Sequence, residues 1–168
     1  MGKWLLLAAL IVVADQLAKF GAVQHLAVNK VVAVTPFFNL VLTYNSGAAF
    51  SILSDAAGWQ RGPFIAIALI ASAWIVYLLR KYPHQRLFAL ALSLVLAGAV
   101  GNVIDRILIG AVIDFLDFHA LGYHWPAFNV ADSAITCGAA LLIWDALRPR
   151  KDQNLDAKTQ RRKEGAIE

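Results

Sequence analysis

Cysteine is nearly absent: Cys137 is the only one in 168 residues, so no internal disulfide can form, and cysteine usage says nothing about the redox compartment. A lone thiol inside an apolar run reads as packing, and no histidine is placed to make it a nucleophile. Charge is also scarce, at 15% of the chain against about a quarter in soluble domains. Motifs of other hydrolases are missing. There is no HExxH or related zinc spacing among His119, His124 and their neighbouring carboxylates, and Ser46 has no GxSxG around it, so its hydroxyl is assigned to a turn. Internal repeats and low-complexity runs are likewise lacking.

What fills the chain is apolar. Hydrophobic residues make up 60% and mean hydropathy is +0.62, which excludes an ordinary soluble domain. Four runs, at about 4–24, 63–80, 87–108 and 128–147, each supply the roughly 20 residues that cross a bilayer core. The expected fold is an integral membrane, mainly α protein: a four-helix bundle over residues 1–147, followed by a charged cytoplasmic tail at 148–168. The first run is not followed by a small-residue cleavage site, since Asp15, Gln16 and Lys19 stand there, and is read as a retained span.

The net charge of +4 matters less than its placement. Of 15 basic residues, 11 lie before the first run (Lys3), between the second and third (Arg80, Lys81, Arg86) or after the fourth (Arg148 to Lys163). The positive-inside rule then predicts both termini in the cytoplasm, and no nucleic-acid partner is expected. Between the first two spans, residues 26–54 are rich in β-branched and aromatic side chains around Pro36 and a turn-like NSG at 45–47, which predicts a small extracytoplasmic β element. The stretch 110–127 mixes Asp114, Asp117, His119 and His124 with aromatics and reads as an interfacial loop or short helix. Asp117 is expected to be a solvated loop carboxylate.

Ionisable residues inside apolar spans cost about 3 kcal/mol each and call for a reason. Lys19 lies 15 residues along from Trp4, Asn102 lies 15 from Leu87, and Asp132 lies 15 back from Leu147. All three sit at one depth, roughly 22 Å from the cytoplasmic edge. Helical spacing adds Asp15 to Lys19, Asp105 and Arg106 to Asn102, and Asn129 to Asp132. If these stripes face each other, they form a converging polar pocket at the outer leaflet. The plainer alternative is that Asp15 pairs with Lys19 and Asp105 with Arg106 only to hold helices together. Asp114 and Asp132 have no obvious cation at helical spacing. Two carboxylates in one pocket share a proton, one acting as base toward water and the other as acid toward a carbonyl, which suits peptide hydrolysis without a metal or cofactor. A proton or ion transporter is disfavoured because the inner halves of the spans offer no continuing polar path.

Five blocks, DQLAK at 15–19, NSGAAF at 45–50, GNVIDR at 101–106, VIDF at 112–115 and FNVAD at 128–132, together resemble the bacterial lipoprotein signal peptidases, or signal peptidase II. The resemblance implies an aspartyl endopeptidase of the inner membrane, active toward the outer face, that cuts prolipoproteins before a diacylglyceryl-modified cysteine. It places Asp114 and Asp132 as the catalytic pair and Asn45, Asn102, Arg106 and Asn129 as pocket residues, with Asp15, Lys19 and Asp105 in support. It also implies contact with membrane phospholipid and inhibition by globomycin-type compounds.

Overall fold

A computed structural model of the chain describes residues 1–28, 30–47 and 61–148. Four long helices, α1 (Gly2–His25), α2 (Arg61–Lys81), α3 (Arg86–Leu108) and α4 (Val130–Leu147), form the bundle. Each is long and apolar enough to cross a membrane. Their outward faces carry exposed Leu6, Leu10, Leu17, Ile70, Trp74 and Ile143, a surface suited to lipid rather than water. The expected four-helix membrane fold is therefore present. Of the predicted segments, residues 48–54 of the β element, the last three residues of the NSGAAF block and the tail from 149 lie outside the described residues.

Helix α3 is the central one, packing on α1, α2 and α4. Near the chain's N-terminal end of the bundle, Ala8, Ile75, Leu79, Ala89, Leu92, Leu96 and Ala97 form the apolar core, and the Trp4 indole donates to the Pro83 carbonyl at 3.1 Å. Small residues let α3 and α4 approach closely, as van der Waals packing between lipid-embedded helices requires. A Cβ on Gly98 would overlap the backbone of Ala131, and one on Gly138 would lie 2.8 Å from the Ala91 carbonyl oxygen.

The opposite end carries a four-stranded antiparallel sheet, β1 (Val32–Thr35), β2 (Phe38–Asn45), β3 (Val112–Ala120) and β4 (Tyr123–His124), in that spatial order. The stretch 110–127, expected as an interfacial loop or short helix, is thus largely strand: β3 pairs with β2 from Val112↔Asn45 to Phe118↔Phe38. The correction has a local cause. The Phe115 and Leu116 N–H groups both donate to the Phe128 carbonyl, at 3.0 and 2.9 Å, which is the geometry of a β-bulge. The bulge shifts the pleat and buries Asp114 and Asp117, three residues apart, on one strand. Apolar–polar alternation survives in VIDFLDFHA only over Leu116–Ala120, and there the polar Asp117 is buried while Phe118 is exposed.

Replacement of Gly98 by alanine is expected to destabilise the α3–α4 contact by about 1–3 kcal/mol, since neither backbone can yield cheaply. Gly62→Ala, whose Cβ would meet nothing within 4 Å, serves as the control. Thermal unfolding in detergent checks both, and equal melting temperatures for the two variants would contradict the packing account.

Candidate active site

The site grows from the N-terminus of α4. Asn129 is its N-cap: its side chain accepts from the Asp132 N–H at 2.8 Å, while the Asp132 carboxylate accepts from the Asn129 N–H at 3.3 Å. This reciprocal capping box fixes both side chains. The next free N–H, on Ala131, donates to Asp15 Oδ1 at 2.8 Å, so a helix 116 residues away in sequence completes the cap.

Asp15 belongs to a buried charge cluster. Lys19 Nζ lies 2.8 Å from Asp15 Oδ2, 2.7 Å from Asp105 Oδ2 and 3.1 Å from Asn102 Oδ1, which uses all three ammonium protons. Lys19 and Asp15 are about fully buried, at 1% and 0% exposure. Asp105 therefore pairs with Lys19 and not with its neighbour Arg106. Gln16, which sequence reasoning passed over, donates to Asp15 Oδ2 and Asp105 Oδ1 at 3.2 and 3.0 Å. Its only signal in the sequence is its place in the DQLAK block.

Two asparagines carry this order to the aspartates. Asn102 accepts from Lys19 and donates to Asp132 Oδ1 at 2.7 Å. Asn129, fully buried, donates to Asp114 Oδ1 at 2.8 Å and also reaches the Ile113 carbonyl and Asn102 Oδ1. Asp114 is placed by β3, opposite Thr43 of β2, and Asp105 helps hold that strand by accepting from the Ile113 N–H at 3.2 Å. The second oxygen of Asp114 accepts from Asn45 at 3.1 Å. Asn45 is oriented in turn by the NSG turn, where its own oxygen accepts from the Gly47 N–H at 3.0 Å. Arg106 donates to the Gly47 carbonyl at 3.2 Å and stacks 5.3 Å from the Phe64 ring.

Every residue singled out in the sequence for the pocket, Asn45, Asn102, Arg106, Asp114, Asn129 and Asp132, thus meets in one network with Asp15, Lys19 and Asp105 behind it. A cavity of about 850 Å³ opens beside it. Its polar end holds Asn45, Asn102, Arg106, Asp114 and Asp132, and its apolar wall includes Trp125, Pro126, Phe128 and Ile135. Cys137 also lines it and is exposed, not packed. Burial, reinforced by the charge of Asp132, pushes the Asp114 carboxyl up to about 7, against the opposing hydrogen bonds of Asn45 and Asn129 and the charge of Lys19. A group with that value is available as acid or base near neutral pH. Among the described residues, no cluster of three or more His, Cys, Asp or Glu side chains is placed to hold a metal ion.

Asp117 departs from expectation. It is 6% exposed, accepts from Asn39 at 2.8 Å, and lies 2.9 Å from His124 Nδ1. It is a buried, bonded carboxylate and not a solvated one. Asn39, a polar residue in an apolar strand, is the partner that spacing alone does not disclose.

Four apolar helices closing on a buried polar pocket describe a membrane enzyme, and comparison with known structures agrees. Two solved bacterial membrane enzymes, determined by the in meso method at 2.3 and 1.9 Å, superpose on this chain with a TM-score of 0.79 in each case. Both are 36% identical to it, covering 88% and 89% of this chain and 88% and 96% of theirs. Residues 7–148 match the family model described as signal peptidase (SPase) II. Lipoprotein signal peptidases of Burkholderia mallei and Paraburkholderia phymatum are 54% and 53% identical over 148 residues, 88% of this chain and 89% of each relative. The chain belongs to the signal peptidase II family.

Asp114 gives the fold a pH signature. The folded protein keeps the Asp114 proton up to about pH 7, whereas an unfolded chain releases it near 3.8. The folded state binds more protons between those values, so its stability falls as pH rises through them, by at most ~4 kcal/mol from this group. The melting temperature of the detergent-solubilised protein is expected to decline from about pH 5 to about pH 8. In Asp114→Asn the decline should flatten, and an identical slope in both proteins would show that Asp114 titrates normally.

Proposed function

We propose that the chain is an aspartyl endopeptidase of the bacterial inner membrane that removes signal peptides from prolipoproteins by cutting before a diacylglyceryl-modified cysteine. The observation that carries this reading is the meeting of Asp114 and Asp132, linked through Asn102 and Asn129, in a cavity whose lining is otherwise largely apolar. Membership of the lipoprotein signal peptidase family supports the substrate class.

Asp132 is the base. Its carboxylate accepts from Asn102 and from the Asn129 N–H at the positive end of α4. Asp114, with its raised affinity for a proton, is the acid. Water attacks the scissile carbonyl carbon while Asp132 takes one of its protons and Asp114 gives one to the carbonyl oxygen. The tetrahedral diol then collapses: Asp132 passes its proton to the departing amide nitrogen, the C–N bond breaks, and a diol hydroxyl returns its proton to Asp114. Both carboxyl groups end as they began, so the cycle needs no covalent intermediate.

Arg106 and Asn45 line the same cavity and position the peptide, while the apolar Ile135 and Phe128 of its lining accommodate the acyl chains. The clustering of basic residues supports cytoplasmic termini, which puts the sheet and the dyad at the outer face. Globomycin-type inhibitors would act by occupying the dyad.

Asp114→Asn and Asp132→Asn are each expected to lower turnover of a diacylglyceryl-modified precursor by at least ~10³-fold, with membrane insertion retained. Purified enzyme in detergent, assayed by precursor cleavage, provides the test, and near-normal turnover in either variant would overturn the dyad. A precursor with a free cysteine thiol is expected to be cut poorly in the same assay. Equal cleavage of both precursors would remove lipid-dependent recognition.

A further inference from the structure

Asp117 takes no part in the chemistry above, yet three strands are built around it. Asn39 of β2, its register partner, donates to Oδ2 at 2.8 Å. From β4, His124 Nδ1 lies 2.9 Å from Oδ1, and the His124 ring stacks at 4.9 Å on that of His119, the third group facing this carboxylate. Burial alone would raise the Asp117 carboxyl, but the hydrogen bonds of Asn39 and His124 and the charges of the two histidines outweigh it and hold it below its ordinary value. The acceptor is therefore charged across the physiological range, and hydrogen bonds to a charged group are the stronger kind.

Apart from these side chains, the hairpin is held by the short β3–β4 ladder, its continuation through Trp125 and Phe128, and the Phe118–Phe128 ring stack at 5.9 Å. Strand β4 has only two residues, and the turn before it puts Leu121 at φ 52° and Gly122 at φ 82°. A leucine in the left-handed region costs energy, and so short a ladder does not stand alone. The segment after the hairpin lines the cavity: Trp125, Pro126, Ala127 and Phe128 form a wall of it and lead directly into Asn129. That wall is tied back to β3 by Trp125 N–H to the Phe118 carbonyl at 2.8 Å and Phe128 N–H to the Leu116 carbonyl at 3.0 Å.

We propose that Asp117 is a positioning residue which, with Asn39 and His124, clamps the β3–β4 hairpin so that the Trp125–Phe128 wall is preformed to receive the substrate's peptide segment. The proposal rests on the peptidase reading of the cavity. Because the clamp touches neither dyad carboxylate, it acts on binding: an unclamped wall must be ordered by substrate, which weakens KM, whereas the bound complex reacts normally.

His124 is half exposed, so its replacement leaves the fold intact. His124→Leu removes the donor, whereas His124→Asn keeps an N–H near the Nδ1 position. His124→Leu and Asp117→Asn are expected to raise KM about fivefold with kcat within about twofold of wild type, and His124→Asn to return KM to within about twofold. Binding of a non-hydrolysable diacylglyceryl peptide, measured by fluorescence anisotropy in detergent, should weaken in parallel. Unchanged KM in His124→Leu, a fall in kcat alone, or an asparagine variant no better than leucine would each overturn the clamp. Binding and cleavage separate the two claims: active Asp114→Asn with weakened binding in His124→Leu strikes the dyad alone, and inactive Asp114→Asn with normal binding in His124→Leu strikes the clamp alone.

Discussion

One buried ammonium group holds the sheet-bearing end of this protein together. Lys19 has no access to water and gives all three protons to Asp15, Asp105 and Asn102. Burying such charges is expensive, and removing one partner of a buried pair typically costs 3–5 kcal/mol because the other charge is left stranded. The two carboxylates leave the cluster with an excess of negative charge, and their remaining acceptor capacity is spent on orphan donors: Asp15 on the first turn of α4, Asp105 on the start of β3, with Gln16 bridging both. A single ion cluster thereby fixes α1, α3, α4 and the sheet relative to one another.

In the proposed mechanism, Asp114 and Asp132 take their geometry from that cluster and their chemical difference from local surroundings. Asp132 stands in the first turn of a capped helix, bonded to the Asn129 N–H and to Asn102, which is itself pinned by Lys19. Asp114 comes from a strand and, among the described residues, accepts from the amides of Asn45 and Asn129. Two chemically identical side chains are thus asked to behave differently by the elements that carry them, which is the usual way one pocket obtains both an acid and a base. The bulge at Phe115 and Leu116 is part of this arrangement, since it lets one strand send Asp114 toward the cavity and Asp117 toward the hairpin.

How much of this was legible depends on the periodicity of each element. Helical runs are long, so the four spans and the common depth of Lys19, Asn102 and Asp132 could be counted, and those three residues do form a chain of contacts. Adjacent helical residues point about 100° apart, so an Asp105–Arg106 pairing was never favoured by geometry, and the partner proved to be Lys19 on another helix. Strand β3 escaped because its bulge interrupts the alternation at Phe115 and the five residues that do alternate, Leu116–Ala120, bury the polar Asp117, whose partner Asn39 lies 78 residues away. The reach of Asp114 was legible only by family resemblance. Its position depends on the β2–β3 register, which no spacing within either segment encodes.

The central claim is that Asp114 and Asp132 share one pocket closely enough to hold a proton between them at neutral pH. The most direct measurement is the titration of the Asp114 carboxyl carbon by NMR in protein labelled with ¹³C at aspartate, compared with Asp132→Asn. An inflection at about 7 is expected in the wild type, moving toward the ordinary carboxylate range once the second charge is removed. An inflection near 3.8, or one that Asp132→Asn leaves in place, would contradict the claim.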